Sequence, residues 1–298
     1  MTGRFIALDW GTTSFRAYLA DAAGVVSDRM VSADGILSVA DGDFDAALER
    51  HIGPWDRDLP VFAAGMITSR QGWIELPYVA CPAGPAELAK ALHHHVSKQG
   101  RRIAFSTGLS YRSGDGVPDV MRSEETQVFG SLDGAASHFV TPGTHSKWIA
   151  VEAGRITRFT TYVTGEVFAA LKSHTILGRL MQDGPDNEEA FARGVSAALA
   201  DPAGFLHRIF SARTLGLFNE MPAGHLASYL SGQVIGTEVA HAMAASMNKA
   251  DYVVLASASI GQRYVSAMEI AGLKARLGEP EAIVKGLAKI AISAGLLR

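Results

Sequence analysis

The chain has 298 residues, of which 48% are apolar, so it is long enough for one large or two medium domains with a sizeable core. Its formal net charge of -3, without a basic stripe, argues against nucleic-acid binding. The single cysteine, Cys81, excludes a disulfide within the chain and favours a reducing compartment. Neither a signal peptide nor a membrane helix is predicted, so we expect a cytoplasmic enzyme.

The first part of the chain predicts strands joined by short turns. Residues 5–8 and 15–20 flank a Gly/Thr turn, as in a β-hairpin, and residues 25–32 form a third strand candidate. Further predicted elements are helices over 44–52 and 85–97 and strands over 59–66 and 102–107. Turn-forming residues cluster at 114–119, which we predict to be a domain boundary.

The same pattern recurs later in the chain. After a predicted helix over 124–132, residues 138–141 and 147–151 flank a second Gly-Thr turn, and residues 155–159 continue as a strand. This recurrence indicates an internal duplication. The remainder predicts helices over most of 163–247, a buried strand over 252–256, and closing helices over 261–273 and 281–297. Strands mixed with helices throughout predict an α/β protein.

The first turn, Asp9-Trp10-Gly11-Thr12-Thr13, places a carboxylate at the end of a strand beside small and hydroxyl-bearing residues. Backbone amides and hydroxyls can hold phosphate oxygens, and a carboxylate can orient Mg²⁺, usually through water. The alternative is an ordinary hairpin turn in which Asp9 caps backbone amides. The sequence of this turn alone does not choose between them.

Several motifs together resemble a known family. Asp9-x-Gly11-Thr12-Thr13-x-x-Arg16 resembles the first phosphate motif of the sugar kinase/actin/heat-shock ATPase superfamily, and Pro142-Gly143-Thr144-His145-Ser146-Lys147 resembles the second. With the stretches 65–73, 118–127 and 164–168, they resemble the 2-dehydro-3-deoxygalactonokinase family from about residue 5 to the carboxyl terminus. The chain departs from the superfamily at Pro142, where Asp is frequent, and at residues 256–259, where the adenosine motif usually has glycine.

The resemblance implies two actin-like, ribonuclease H-like lobes with mixed sheets around a nucleotide cleft, over 1–119 and 120–298. The adenosine site is expected in the second lobe, and the last helix is a candidate for packing back on the first. The implied activity is ATP- and Mg²⁺-dependent phosphorylation of 2-dehydro-3-deoxy-D-galactonate at its 6-hydroxyl, in galactonate catabolism. A homodimer is left open.

The resemblance also assigns phosphate-binding and metal-orienting residues. Asp9 is expected to orient Mg²⁺. The residues expected to bind ATP phosphates are Gly11, Thr12, Thr13, Gly143, Thr144, Ser146 and Lys147. Lys147 could neutralise charge on the transferring phosphate. Its alternative is an exposed lysine on a strand that serves only packing.

Glu124 and Glu125 are the candidates for the catalytic base. Phosphoryl transfer to an alcohol benefits from a carboxylate that accepts the hydroxyl proton, and a helix start favours the ionised form. Alternatively, both side chains are solvated and merely favour the helix start. The sequence does not decide which of the two is the base.

Arg70, between Ser69 and Gln71, is the main candidate for binding the substrate carboxylate. Arginine binds carboxylates in a bidentate geometry, and serine and glutamine suit hydroxyls. Arg16 and Arg122 are further candidates for substrate or phosphate contact. The alternative for each is a surface arginine.

Three other hypotheses come from the residues. His93, His94 and His95 invite a zinc site, but on the predicted helix they would point in different directions. A nucleotide-switched filament or chaperone of the superfamily would need length that this chain lacks. An exopolyphosphatase-like phosphohydrolase, or another sugar kinase of the superfamily, remains an alternative because a Glu pair also suits water activation.

Overall fold

The computed structural model describes residues 3–134, 137–246 and 251–298. Its strands are β1 (Arg4–Trp10), β2 (Phe15–Asp21), β3 (Val26–Ser32), β4 (Val61–Ala64), β5 (Val79–Ala80), β6 (His93–Val96), β7 (Arg102–Phe105), β8 (Leu109–Arg112), β9 (Pro118–Met121), β10 (His138–Thr141), β11 (Ser146–Glu152), β12 (Arg155–Tyr162), β13 (Asp251–Val254) and β14 (Lys274–Leu277). Its α-helices are α1 (Phe44–Ile52), α2 (Pro85–Lys90), α3 (Glu124–Ser131), α4 (Thr164–His174), α5 (Glu188–Ala200), α6 (Phe205–Arg208), α7 (Ser211–Leu217), α8 (Leu226–Ser246), α9 (Ala258–Ile270) and α10 (Ala282–Ser293).

The first sheet has the strand order β3-β2-β1-β4-β7-β6. β1 pairs antiparallel with β2, which forms the predicted hairpin, and parallel with β4, so the centre of the sheet contains parallel strands. Successive side chains of β1 point to opposite faces of the sheet. Ile6 and Leu8 therefore enter one core with α1, whereas Phe5 and Ala7 enter another with α10.

The second sheet has the order β12-β11-β10-β13-β14, with β10 parallel to β13 and β13 parallel to β14. Three sequential strands followed by parallel neighbours repeat the arrangement of the first sheet. The strand order confirms the predicted duplication and the α/β class with two ribonuclease H-like sheets. A further sheet, β5-β8-β9, was not predicted.

Helices α5, α8 and α9 pack against the second sheet. Phe191 and Val195 of α5, Val239 of α8 and Tyr264 of α9 share a buried core with Trp148. Helices α5 and α8 approach each other closely because glycines lie at their crossing. A Cβ at Gly232 would come within 2.1 Å of the Phe191 carbonyl oxygen.

The chain forms two compact units whose limits differ from the predicted boundary near residue 119. The first comprises Met1–Ala135, Ile149–Phe159 and Glu279–Arg298, and the second comprises Ala136–Trp148 and Thr160–Gly278. Residues 114–119 are instead the turn of the β8–β9 hairpin and the start of β9, with the Ser113 amide donating to the Val117 carbonyl at 3.1 Å. As expected, the last helix belongs to the first unit.

The three consecutive histidines lie on a strand, so the predicted helix over 85–97 is wrong beyond Lys90. β6 pairs antiparallel with β7, with His93 opposite Phe105. His95 packs edge-on against Trp73 at 5.2 Å between ring centroids. Within the described ranges, no helix combines the length and apolar character needed to cross a membrane.

Candidate active site

Asp9 lies at the carboxyl end of β1, directly opposite Arg16 in the β1–β2 register. Its Oδ2 accepts a hydrogen bond from Arg16 Nη1 at 3.0 Å, and its Oδ1 accepts one from Ser123 Oγ at 3.1 Å. Burial raises the pKa of Asp9, and the charge of Arg16 opposes this shift. The predicted metal-orienting carboxylate is therefore fixed by two partners at the edge of the turn.

The turn after Asp9 is closed by the Gly11 amide, which donates to the Ser14 carbonyl at 2.8 Å. The carbonyl oxygens of Gly11 and Thr12 accept hydrogen bonds from the amides of Ile36 and Leu37, at 3.0 and 3.3 Å. Thr13 is exposed, and Gly11 and Thr12 are half-buried. The residues predicted to bind phosphate thus form a rigid turn that solvent reaches.

Ser123 connects Asp9 to the predicted base. Its amide donates to both carboxylate oxygens of Glu125, at 3.1 and 2.9 Å, while its hydroxyl contacts Asp9. Its backbone has φ 96° and ψ -32°, a region that residues with a Cβ rarely adopt. Strained backbone of this kind concentrates at functional sites because the surrounding structure must hold it. The sequence analysis missed Ser123.

The two candidate bases differ in burial. Glu125 is 1% exposed, and burial, with a contribution from the charge of Glu124, raises its pKa to about 7. Thr126 Oγ1 also donates to Glu125, at 2.9 Å. Glu124 is half-buried and accepts a hydrogen bond from the Arg122 amide at 2.8 Å. Glu124 is thus more accessible, whereas burial gives Glu125 a pKa that suits proton acceptance at neutral pH.

A cavity of about 670 Å³ adjoins this region within the first unit. Its lining includes all three residues of the predicted substrate loop and Arg122; the full set is Met66, Ser69, Arg70, Gln71, Glu75, Leu76, Pro77, Tyr78 and Arg122. Two arginines against one glutamate give the lining a positive balance. A cavity with this charge favours a small anionic ligand.

The two arginines of the cavity are held very differently. Arg122 donates to the Thr68 carbonyl, to Thr68 Oγ1 at 2.6 Å and to the Leu76 carbonyl at 3.2 Å, and it stacks over Tyr78 at 4.3 Å from the ring centroid. The Arg70 side chain is 86% exposed and contacts only Glu75 among its described ion-pair partners, at 3.4 Å. Arg122 is therefore a fixed part of the wall, whereas Arg70 can reorient.

The second predicted phosphate turn lies in the second unit, between β10 and β11. Gly143 and Thr144 are exposed, and the turn packs against the amino end of α4. The Glu166 amide donates to the Thr144 carbonyl at 3.2 Å, and His145 Nε2 contacts Glu166 Oε2 at 2.8 Å. A Cβ at Gly165 would come within 2.4 Å of the Gly143 carbonyl oxygen, so only glycine permits this approach.

Ser146 and Lys147 are both buried where β11 begins. Ser146 Oγ donates to Glu238 Oε1 at 2.6 Å, so this hydroxyl already has an acceptor inside the unit. Lys147 is 4% exposed, and the alternative of an exposed lysine is therefore wrong. Because side chains alternate along a strand, Lys147 lies on the opposite face of β11 from Ser146.

The structure thus brings Asp9, Arg16, Arg122, Glu124 and Glu125 together in the first unit, with Ser69, Arg70 and Gln71 around the cavity. Sequence reasoning missed Ser123, Tyr78 and Glu238. Ser123 and Tyr78 give no local signal beyond their neighbours. Glu238 could have been noticed because α8 has no other Asp, Glu, Lys or Arg.

Comparisons with known proteins show which family the chain resembles. The family model described as 2-keto-3-deoxy-galactonokinase matches residues 9–290. A protein of Rhizobium meliloti (strain 1021), named as a probable 2-dehydro-3-deoxygalactonokinase, is 35% identical over 97% of both chains. The 2-dehydro-3-deoxygalactonokinase of Escherichia coli (strain K12) is 32% identical over 91% of both chains. A crystal structure of a provisionally named 2-dehydro-3-deoxygalactonokinase from Sinorhizobium meliloti, 35% identical, superposes with a TM-score of 0.88 over 96% of this chain and 98% of that one.

Proposed function

The chain belongs to the 2-keto-3-deoxy-galactonokinase family, and we propose that it transfers the γ-phosphate of ATP to the 6-hydroxyl of 2-dehydro-3-deoxy-D-galactonate. The observation that supports this most is the extent of the family match, which begins at Asp9 and includes both predicted phosphate turns, the Glu pair and the cavity residues. The product would enter galactonate catabolism.

We propose that Arg70 binds the carboxylate of the sugar acid. Arg70 lies on the rim of the cavity, is largely exposed, and has only a weak exposed ion pair to give up. Arg122 contributes positive charge, but three of its hydrogen bonds already go to the loop over 68–76. Ser69 and Gln71 lie beside Arg70 and can serve the sugar hydroxyls, and Arg16 serves Asp9.

We propose that the Glu124–Glu125 pair accepts the proton of the 6-hydroxyl as the bond to phosphorus forms. The base must lie within hydrogen-bond reach of that proton and titrate near the working pH. If Glu125 is the base, kcat/KM should rise through an apparent pKa of about 7, the value that burial gives this carboxyl. If the rise of kcat/KM with pH disappears in Glu125→Gln but persists in Glu124→Gln, Glu125 is the base. The opposite result would identify Glu124 as the base.

Asp9 is the residue that would hold Mg²⁺. Mg²⁺ retains several waters and is usually bound by one or two carboxylates with the substrate phosphates, so one carboxylate at an exposed turn fits. Both Asp9 oxygens already accept hydrogen bonds, which favours contact through water. In the described residues, no group of three or more His, Cys, Asp or Glu could form a protein cage instead. The ion would supply neutralisation of phosphate charge.

The two turns are proposed to bind the phosphates of ATP. Gly11, Thr12 and Thr13 would do so in the first unit, and Gly143, Thr144 and Lys147 in the second. The Ser146 hydroxyl donates to Glu238, so Ser146 would contribute through its backbone. The adenosine site stays a prediction for the strand-to-helix junction after β13, and a cytoplasmic location and a homodimer stay predictions as well.

The function is tested by measuring ADP release with and without the sugar acid. We expect ATP turnover only with 2-dehydro-3-deoxy-D-galactonate, and phosphate on the 6-oxygen in the product. Comparable turnover without any acid would favour the phosphohydrolase alternative. Comparable turnover with neutral hexoses would indicate another sugar kinase. A parallel assay with the C4 epimer would define selectivity.

Arg70→Ala tests the carboxylate site. Removing one partner of a desolvated charge pair costs about 2–5 kcal/mol, so KM for the acid should rise by more than tenfold while KM for ATP changes little. Arg70→Lys should restore binding only in part, because lysine cannot form a planar bidentate pair. Glu75→Gln is the matched control, since it frees Arg70 and should leave KM for the acid unchanged or slightly lower. An unchanged KM in Arg70→Ala would move the assignment to Arg122.

A further inference from the structure

Glu238 of α8 is a buried carboxylate that the proposed reaction does not use. It is 3% exposed. Its Oε1 accepts hydrogen bonds from Ser146 Oγ at 2.6 Å and Trp148 Nε1 at 2.7 Å, and its Oε2 accepts one from Tyr264 Oη at 2.7 Å. The Thr164 hydroxyl also faces this carboxylate and the Tyr264 hydroxyl. One side chain therefore gathers donors from β11, α4 and α9.

Two of these donors lie on the elements that adjoin the second phosphate turn. Ser146 is the first residue of β11 and follows the turn directly. Thr164 is the first residue of α4, and its neighbour Gly165 packs against the backbone of Gly143. Glu238 thus connects the strand that leaves the turn with the helix on which the turn rests.

A buried carboxylate is a costly way to stabilise a core. Burial raises the pKa of Glu238, and the hydrogen bonds from its neutral donors oppose the shift. Apolar residues of similar volume often stabilise such a position equally well or better. A fully satisfied polar network instead fixes one geometry, since every donor loses a partner when the acceptor moves. The role of Glu238 is therefore to fix the positions of Ser146 and Thr164.

We propose that Glu238 is a positioning residue for nucleotide binding: it holds the turn over 142–145 and the amino end of α4 in the arrangement that receives the phosphates of ATP. This inference rests on the proposed function, because it presumes that the second turn binds ATP. It concerns ATP and not the sugar acid, since the cavity around Arg70 belongs to the first unit.

Glu238→Gln and Thr164→Val test the proposal, with Gln233→Met, at another buried polar residue of α8, as the matched control. Glutamine keeps the shape but presents an NH₂ group to donors that expect an acceptor. Valine keeps the shape of threonine and removes the hydroxyl that faces Glu238. Both should raise KM for ATP about tenfold and leave KM for the acid within about twofold, because a shift of about 1 Å in positioning groups can cost up to about 100-fold. Gln233→Met removes another buried polar side chain of α8, whose Nε2 donates to the Arg208 carbonyl, Ser211 and Tyr229 and not to the turn or α4, so it should lower Tm without changing KM for ATP.

Calorimetric titration with ADP gives a second readout that does not require turnover. The dissociation constant should rise in Glu238→Gln and Thr164→Val but not in Gln233→Met. Wild-type affinity for ADP and ATP in both variants would overturn the proposal, as would an equal loss of affinity in Gln233→Met, because the loss would then reflect only a weakened core. If the wild-type chain itself binds no ADP and transfers no phosphate, the proposed function fails instead.

Discussion

At the scale of single residues, burial of Glu125 lowers the folding stability at neutral pH, and its proposed role as the base would explain why such a residue is present. Its folded pKa of about 7 lies above the ordinary value of 4.5. The folded state therefore holds a proton that the unfolded state has released between these pH values, and stability present below about pH 4.5 is lost as the pH rises to about 7. The loss is on the order of 3 kcal/mol for a shift of this size.

Glu125→Gln should separate stability from activity. The neutral amide removes the penalty, so the free energy of unfolding at pH 8 should increase, while at pH 4.5 it should change little. If Glu125 is the base, kcat should fall by about 10²–10⁴-fold in the same variant. Urea unfolding at the two pH values measures the first effect, and Glu75→Gln, at an exposed carboxylate, is the control. Equal stability changes at both pH values would contradict the assigned pKa shift.

Ser123 permits a second comparison, between glycine and alanine. Both substitutions remove the hydrogen bond to Asp9, but only glycine also relieves the positive φ. Ser123→Gly should therefore be more stable than Ser123→Ala by about 1 kcal/mol, the usual cost of such a conformation. Thermal unfolding measures the difference. Equal stabilities would show that the backbone relaxes to another conformation when the hydroxyl is lost.

At the scale of elements, the crossing of α3 and α10 positions the Glu pair. Gly286 of α10 lies against the Thr126 backbone, so that a Cβ there would come within 1.8 Å of the Thr126 carbonyl oxygen. Lys289 Nζ donates to the Phe129 and Leu132 carbonyls at the end of α3, at 2.7 and 3.1 Å. Helix α10 thus fixes both the position and the carboxyl end of the helix that begins with Glu124.

Gly286→Ala should consequently lower both stability and kcat. Overpacking of this kind typically costs about 1–3 kcal/mol, and more where backbone atoms must move apart. Displacement of Thr126 would also disturb its hydrogen bond to Glu125. Denaturant unfolding and steady-state kinetics measure the two effects. Gly114→Ala, where a Cβ would meet nothing within 4 Å, is the control and should match the wild type.

An element could be predicted from the sequence when its signals are local, and not when it depends on contacts between residues far apart in the chain. The hairpins around Gly11 and Gly143 were predictable because alternation and turn chemistry are local signals. β6 was not: although its partner β7 follows closely in sequence, the contact of His95 with Trp73 joins this strand to a residue well before it in the chain. In the candidate site, the motif residues were predictable from the resemblance. Ser123 and Glu238 act through contacts with Asp9 and Ser146, more than 90 positions away, which the sequence does not reveal.

At the scale of the whole molecule, each unit has its own core, and this can be tested with paired cavity mutations. Leu287 is 1% exposed in the core of α10 and the first sheet, whereas Leu230 is fully buried among the helices of the second unit. Leu→Ala at such positions costs about 2–5 kcal/mol. In hydrogen exchange, Leu287→Ala should weaken protection mainly in β1 and β4, and Leu230→Ala mainly in α7 and α8. Uniform loss of protection in both variants would show that the chain unfolds as one cooperative body.

Residues 279–298 belong to the first unit although they are synthesised last, and this affects how that unit folds during translation. The strand residues Phe5, Ala7 and Phe62 share a core with Ile283, Val284 and Leu287, so their apolar face has no cover until α10 has emerged. At about 5–20 residues per second, synthesis from residue 135 to residue 279 takes roughly 7–30 s. During that interval the nascent chain exposes the apolar face of an incomplete β-sheet, the kind of surface through which folding intermediates aggregate.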